Sequence, residues 1–173
     1  MNLITCTEQK HAEAILEIFN DAILNSTALY DYKVRSIESM GPWFTAKDKG
    51  NFPVIGLEDH QGRLLGFASY GTFRAWPAYK YSVEHSIYIH PQHRGQGLGK
   101  ILLNALIAEA KQRQVHTLVG GIDANNSASI ALHTQAGFLE AGLIKQAAYK
   151  FDRWLDLAFY QLILTTPDRP IAQ

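Results

Sequence analysis

The stretch "HPQHRGQGLGKILLNAL", from His90 to Leu106, limits the fold of this chain more than any other. Gly95, Gly97 and Gly99 strip side chains from the backbone just before an apolar run, Leu98, Ile101, Leu102, Ala105 and Leu106, that keeps helical period. Immediately upstream, "SVEHSIYIH" alternates Val83, His85, Ile87 and Ile89 with Glu84, Ser86, Tyr88 and His90, the two-residue period of a strand. Downstream, "VHTLVGGI" reads as a buried strand. The centre of the chain is therefore a strand, a bare turn, a helix and a strand.

The flanks complete the pattern. "NLITCTE" is a short strand, followed by a helix whose Ile15, Ile18, Phe19, Ala22 and Ile23 share one face, with Thr7 as its N-cap. A weaker helix spans about Ser36 to Lys47, and "FPVIGLE" and "RLLGFASYGTF" form a hairpin across a turn containing Gly62. "SASIALHTQAGF" is a short helix closed by Gly137, and "LEAGLIKQAAY" and "RWLDLAFYQLIL" are the last strands. The expected fold is α+β: a single domain over residues 1–173, with about four helices on a mixed, mostly antiparallel sheet of six to seven strands. The tail from about Thr165 is expected to be flexible.

Composition removes several functions. The 173 residues are 47% hydrophobic, enough for one buried core. Sixteen basic and sixteen acidic residues cancel, which argues against nucleic acid or an anionic membrane as partner. No apolar run approaches the roughly 20 residues of a membrane span, and the first ten residues carry no secretory pattern, so the expected location is cytoplasmic. The single cysteine, Cys6, reads as a packing residue rather than a nucleophile. "HPQH", at His90 and His93, lacks a third ligand at metal spacing, and no metal is expected.

The glycine loop fails two phosphate motifs. Counting back from Gly99-Lys100 puts Arg94 where a Walker A loop needs its first glycine and Ile101 where it needs a hydroxyl. A dinucleotide G-x-G-x-x-G begun at Gly95 would require glycine in place of Lys100. What fits is Arg94-x-x-Gly97-x-Gly99 between a strand and a helix, which resembles the pyrophosphate loop of the GNAT superfamily of N-acetyltransferases. Bare amides at a helix start would suit a pyrophosphate on physical grounds as well.

"NNSASIALHTQAGF" is similar to the downstream element of the same superfamily, and the whole stretch from about Thr5 to Leu164 resembles its phosphinothricin acetyltransferase group, which includes acetylases of methionine sulfoximine and methionine sulfone. The resemblance implies acetyl-CoA as co-substrate and a small amino acid as acceptor. It implies cofactor contacts from the main chain of Ile87, Tyr88 and Ile89, from the loop Arg94, Gly95, Gln96, Gly97, Leu98, Gly99 and Lys100, and from Asn126 to the pantetheine arm. Asn126 also suits the N-cap of the following helix, with Asn125 as the alternative cap.

His133 stands where the superfamily more often has tyrosine, the acid that protonates the departing thiolate. Histidine can donate a proton near neutral pH. The attacking amine must lose a proton, and Glu84 is the expected base. A bulge in the strand Ser82–Ile89 would free an N–H for the oxyanion. Arg74, with Ala75 and Trp76 beside it, is the expected carboxylate clamp. Tyr30, Tyr149 and Arg153 are further candidates for the pocket wall, reaching across an expected homodimer. Two other classes stay open at this point: a protein N-terminal or polyamine acetyltransferase, and a sensor that binds acetyl-CoA without turnover.

Overall fold

The computed structural model describes residues 1–172. A sheet of seven strands runs in the order β1-β2-β3-β4-β5-β7-β6, and every neighbouring pair is antiparallel except β4 with β5. The strands are β1 (Asn2–Thr5), β2 (Val54–Glu58), β3 (Leu64–Thr72), β4 (Ser82–Ile89), β5 (Thr117–Asp123), β6 (Leu139–Lys150) and β7 (Arg153–Ile163). The helices are α1 (Glu8–Asn25), α2 (Met40–Lys49), α3 (Leu98–Gln112) and α4 (Ser127–Gln135). The single parallel pair follows from the strand-turn-helix-strand unit, since a helical crossover returns the chain in the original direction.

The sheet separates two cores. On one face α1 and α2 bury Ile15, Ile18, Phe19, Ala22, Ile23, Met40 and Phe44 against Phe67 of β3. On the other, Leu98, Leu102, Leu103 and Leu106 of α3 pack on Tyr70, Val83, Leu118 and Ile122. The alternation along β4 therefore assigns its residues to two sides. Tyr88 packs in the α1/α2 core, and Val83, Ile87 and Ile89 belong with α3.

One local expectation changes. Thr7 occupies the N-cap position of α1 without a side-chain cap bond; its own N–H donates instead to His11 Nδ1 at 2.9 Å. In the tail, Thr166 Oγ1 donates to the Val115 carbonyl, and Ile171 N–H donates to the Tyr81 hydroxyl, which in turn donates to the Ile171 carbonyl.

Candidate active site

Pairing between β4 and β5 covers only Ser82–Glu84 against Thr117–Val119. Beyond Glu84 the strands part, and a cleft of about 660 Å³ opens between them. The parting leaves backbone groups without a ladder partner. His90 N–H donates to the Leu65 carbonyl at 2.9 Å, so this pair is a hydrogen-bonded one. Such pairs alternate along an antiparallel ladder, so the even residues of β4 turn their amides toward β3 and Ile87 and Ile89 turn theirs toward the cleft. The expected bulge is absent: the β3–β4 register runs unshifted from Gly66↔Ile89 to Thr72↔Val83. The free amides come from loss of a neighbour, not from an inserted residue.

Ile87, Tyr88, Ile89, Arg94, Gly95, Gly97, Gly99, Lys100 and Asn126 all line this cleft. Gln96 and Leu98 do not; the Leu98 side chain is buried in the α3 core. Gly95 and Gly97 have φ of 75° and 77°, and a Cβ at either would meet nothing within 4 Å. Their need is thus conformational, since only glycine adopts left-handed backbone without cost. Gly97 is the N-cap of α3, and Gly99 and Lys100 of its first turn line the same cleft. Arg94 is held in place by its Nη2, which donates to Asp21 Oδ2 at 2.5 Å. Asn126 caps α4, its Oδ1 accepting from Ser129 N–H at 3.1 Å, which settles the choice between Asn125 and Asn126.

The far wall contains residues the sequence reading passed over: Ser26, Thr27 and Ala28 after α1, and Gly120, Gly121 and Asp123 of β5. The paired glycines of "LVGGI" carried a signal, since glycine inside a buried strand often marks a close approach. A Cβ on Gly120 would lie 3.1 Å from His85 Cε1, and one on Gly121 would lie 2.9 Å from Glu84 Oε1. The Ser26–Leu29 turn is tethered from below. The buried Lys150 donates through Nζ to the Ser26 carbonyl at 2.8 Å and the Leu29 carbonyl at 2.6 Å.

His133 is buried at the base of the cleft, and both its nitrogens are engaged. Nδ1 lies 2.7 Å from the Ser129 carbonyl, which can only accept, so the proton sits on Nδ1. Nε2 is then an acceptor, and His85 Nε2, 2.8 Å away, must donate to it. His85 Nδ1 is left buried without a partner. Burial, and then the neighbouring His133, depress the His85 pKa to about 3, so the pair stays neutral. Burial also lowers the His133 pKa. In this arrangement the His133 proton is on Nδ1, bonded to the Ser129 carbonyl, and Nε2 accepts from His85, so His133 presents no free proton to the cleft.

Glu84 borders a second, smaller cavity of about 170 Å³ on the α1/α2 side, whose walls include Phe19, Arg35, Trp43, Lys47 and Tyr88. Ser86 and Tyr88 line both cavities. Glu84 thus stands at the junction, its carboxylate against Gly121 of the large cleft. Burial raises its pKa, and the Arg74 guanidinium opposes that shift. Arg74, Ala75 and Trp76 lie exposed on the β3–β4 loop, and neither cavity counts them in its wall. Tyr30 is also outside both walls, its pKa raised by burial and then by the Asp123 and Glu84 charges. Arg153 Nη2 donates to the buried Asp123 at 3.2 Å, and Tyr149 stacks edge-on against Trp154 at 5.2 Å.

Residues 13–138 match the family model described as Acetyltransferase (GNAT) family. A Salmonella typhimurium protein, L-methionine sulfoximine/L-methionine sulfone acetyltransferase, is 38% identical over 98% of each chain. Among solved structures, a putative acetyltransferase from Acinetobacter baylyi ADP1 is 59% identical with a TM-score of 0.98, covering 99% of this chain and 96% of the other. A phosphinothricin acetyltransferase from Sinorhizobium meliloti, solved with acetyl-CoA, is 32% identical with a TM-score of 0.92, covering 98% of this chain and 91% of the other.

Proposed function

The chain belongs to the GNAT acetyltransferase family, and from that premise we propose that it acetylates the α-amine of a small amino acid, with methionine sulfone, methionine sulfoximine and phosphinothricin as its acceptor class. Acetyl-CoA, the acetyl donor of the family, supplies an activated thioester. The observation that carries the reading is the position of Glu84, where a cleft with unpaired main-chain amides meets a small cavity.

The long cleft suits the donor. Arg94, Lys100 and the amides around Gly95, Gly97 and Gly99 hold the pyrophosphate, and the free N–H groups of Ile87 and Ile89 orient the pantetheine arm and take up charge on the thioester oxygen. The small cavity suits the acceptor. An α-ammonium that enters it meets Glu84, whose raised pKa makes it a better base than a fully solvated carboxylate. Glu84 takes one proton, the neutral amine attacks the thioester carbon, and the C–S bond breaks to release the CoA thiolate, which takes up the second amine proton. Arg74, close enough to Glu84 to lower its pKa, supplies a cation for the acceptor's oxygens. His85 and His133 form a neutral hydrogen-bonded pair at the base of the cleft.

No helix of the described residues is long and apolar enough to cross a membrane. A cytoplasmic homodimer is part of the proposal. The support is the exposed apolar side chains of the outer hairpin, Leu139, Leu143 and Ile144 on the edge strand β6, Phe151 in the turn and Trp154 on β7, which a second copy would cover. Tyr149 and Arg153 are on that hairpin and would lie at the seam.

A thiol-release assay with acetyl-CoA and a panel of amino acids, spermidine and a short peptide tests the proposal. Turnover concentrated on the sulfone, the sulfoximine and phosphinothricin is the expected result. Turnover confined to spermidine or peptide would replace the acceptor class, and binding of acetyl-CoA without turnover would leave only a sensor.

A further inference from the structure

Resting on the acceptor reading above, we propose that Lys47 is a specificity residue that binds the α-carboxylate of the acceptor, making this enzyme selective for amino acids over simple amines. Lys47 lies in the last turn of α2 and lines the small cavity beside Trp43, one helical turn earlier on the same face. Its Nζ is 5.4 Å from the Trp43 ring and 5.9 Å from the Phe52 ring. Among the described residues it donates to one acceptor, the Tyr70 carbonyl at 2.8 Å, and has no carboxylate within ion-pair distance. An ammonium carries three N–H donors, so contents of the cavity must satisfy the rest. Burial lowers its pKa to about 8, which reflects the lack of a partnered anion.

The other cation of the cavity is already committed. Arg35 donates through Nε to Asp31 at 2.8 Å and stacks over the Phe19 ring at 4.3 Å. Lys47 is thus the free charge of this pocket, and its placement relative to Glu84 is specific. A Cβ on Gly71 would stand 3.8 Å from Lys47 Nζ, and Gly71 is directly across the ladder from Glu84. Residues opposite each other on an antiparallel pair present their side chains to the same face, with Cα atoms about 5.5 Å apart in a hydrogen-bonded pair. The ammonium therefore lies on the β3 side of Glu84, facing across β4 a carboxylate that leans toward Gly121 of β5. In an α-amino acid the carboxylate is joined to the carbon that bears the amine, so an amine on Glu84 delivers its carboxylate to Lys47. The aromatic walls enclose the rest of the molecule, and Arg74 is left for oxygens on the acceptor's side chain.

The test compares methionine sulfone with its α-amide, which keeps amine and sulfone but lacks the carboxylate charge. Lys47→Met should lower kcat/KM for the sulfone by about 10-fold or more, change the rate with the amide less than about 2-fold, and leave the acetyl-CoA KM unaltered. Lys47→Arg, which keeps the charge, should recover part of the loss and guards against a misfolded methionine variant. Equal losses on both acceptors, or none on either, would overturn the assignment, as would a wild-type enzyme that takes the amide as well as the acid. A wild-type enzyme that acetylates neither compound would break the acceptor reading and this proposal with it. A Lys47→Met enzyme defective only on the sulfone would break neither.

Discussion

The two cavities that meet at Glu84 are made of different material. The large cleft is built from backbone: the unpaired amides of β4, two left-handed glycines, the first turn of α3 and the glycines of β5. The small cavity is built from side chains, Arg35, Trp43, Lys47 and Glu84, brought from α2, the loop before it and β4. A backbone site recognises what all its substrates share, because side-chain changes leave it intact. A side-chain site recognises what differs. The donor of an acetyltransferase is constant and its acceptor is not, so under the proposed assignment of cleft and cavity the division of material follows the division of labour.

The strongest way to break this comparison is at the junction. Glu84→Gln keeps shape and removes basicity, so turnover should fall about 100-fold or more while acetyl-CoA affinity holds. Isothermal titration with acetyl-CoA and an initial-rate assay separate the two. Raising the pH should recover part of the rate by supplying free amine. Normal turnover at neutral pH would mean the proton leaves by another route.

Next in size is a change to the backbone site alone. Gly97→Val places a branched residue at φ 77° with no neighbour for its side chain to strike, so the strain, about 1–2 kcal/mol, falls on the loop rather than the core. The acetyl-CoA KM should rise roughly 10-fold, with the acceptor KM unmoved. A rise in both would show that the two sites are not separable.

Arg74→Ala probes the acceptor side and carries a pH signature. Burial raises the Glu84 pKa and Arg74 lowers it. Without the guanidinium that pKa climbs further, so the acid limb of the kcat/KM profile, where Glu84 becomes protonated and idle, should move to higher pH. Because Arg74 is exposed, solvent screens the effect and the move should be less than about one unit. The KM for methionine sulfone should rise about 5-fold, and that for methionine, which lacks the sulfone oxygens, less.

The smallest effect is expected at His133. With Nδ1 held by Ser129 and Nε2 by His85, His133→Phe should change turnover less than about 3-fold, while thermal stability falls because His85 loses its acceptor. A turnover loss of about 100-fold would restore the direct acid role.

The same division explains how much could be read in advance. A backbone site makes demands on residue type within a few positions, so Gly95, Gly97, Gly99 and the Asn126 cap were visible in one local stretch each. Glu84 was visible through the two-residue period of β4. The bulge was misplaced because strand alternation cannot reveal that a neighbouring strand departs, and only the short β4–β5 register shows it. Lys47 is not legible because α2 has little amphipathic pattern, and its place by Gly71, opposite Glu84 on the ladder, depends on β3 pairing with β4. Arg74, Ala75 and Trp76 were assigned together, yet the loop leaves all three exposed, and only Arg74 bears on Glu84 through its charge.

Lys150 fixes the carbonyls of Ser26 and Leu29, and Asn20 grips Arg35 from both sides, its Oδ1 accepting from Arg35 N–H and its amide donating to the Arg35 carbonyl. Between these two moorings Tyr30, Tyr32, Lys33 and Val34 are exposed. Length variation among descendants of this gene should therefore accumulate at that point. An insertion there would lengthen the chain next to Arg35, a wall of the small cavity, without disturbing either mooring.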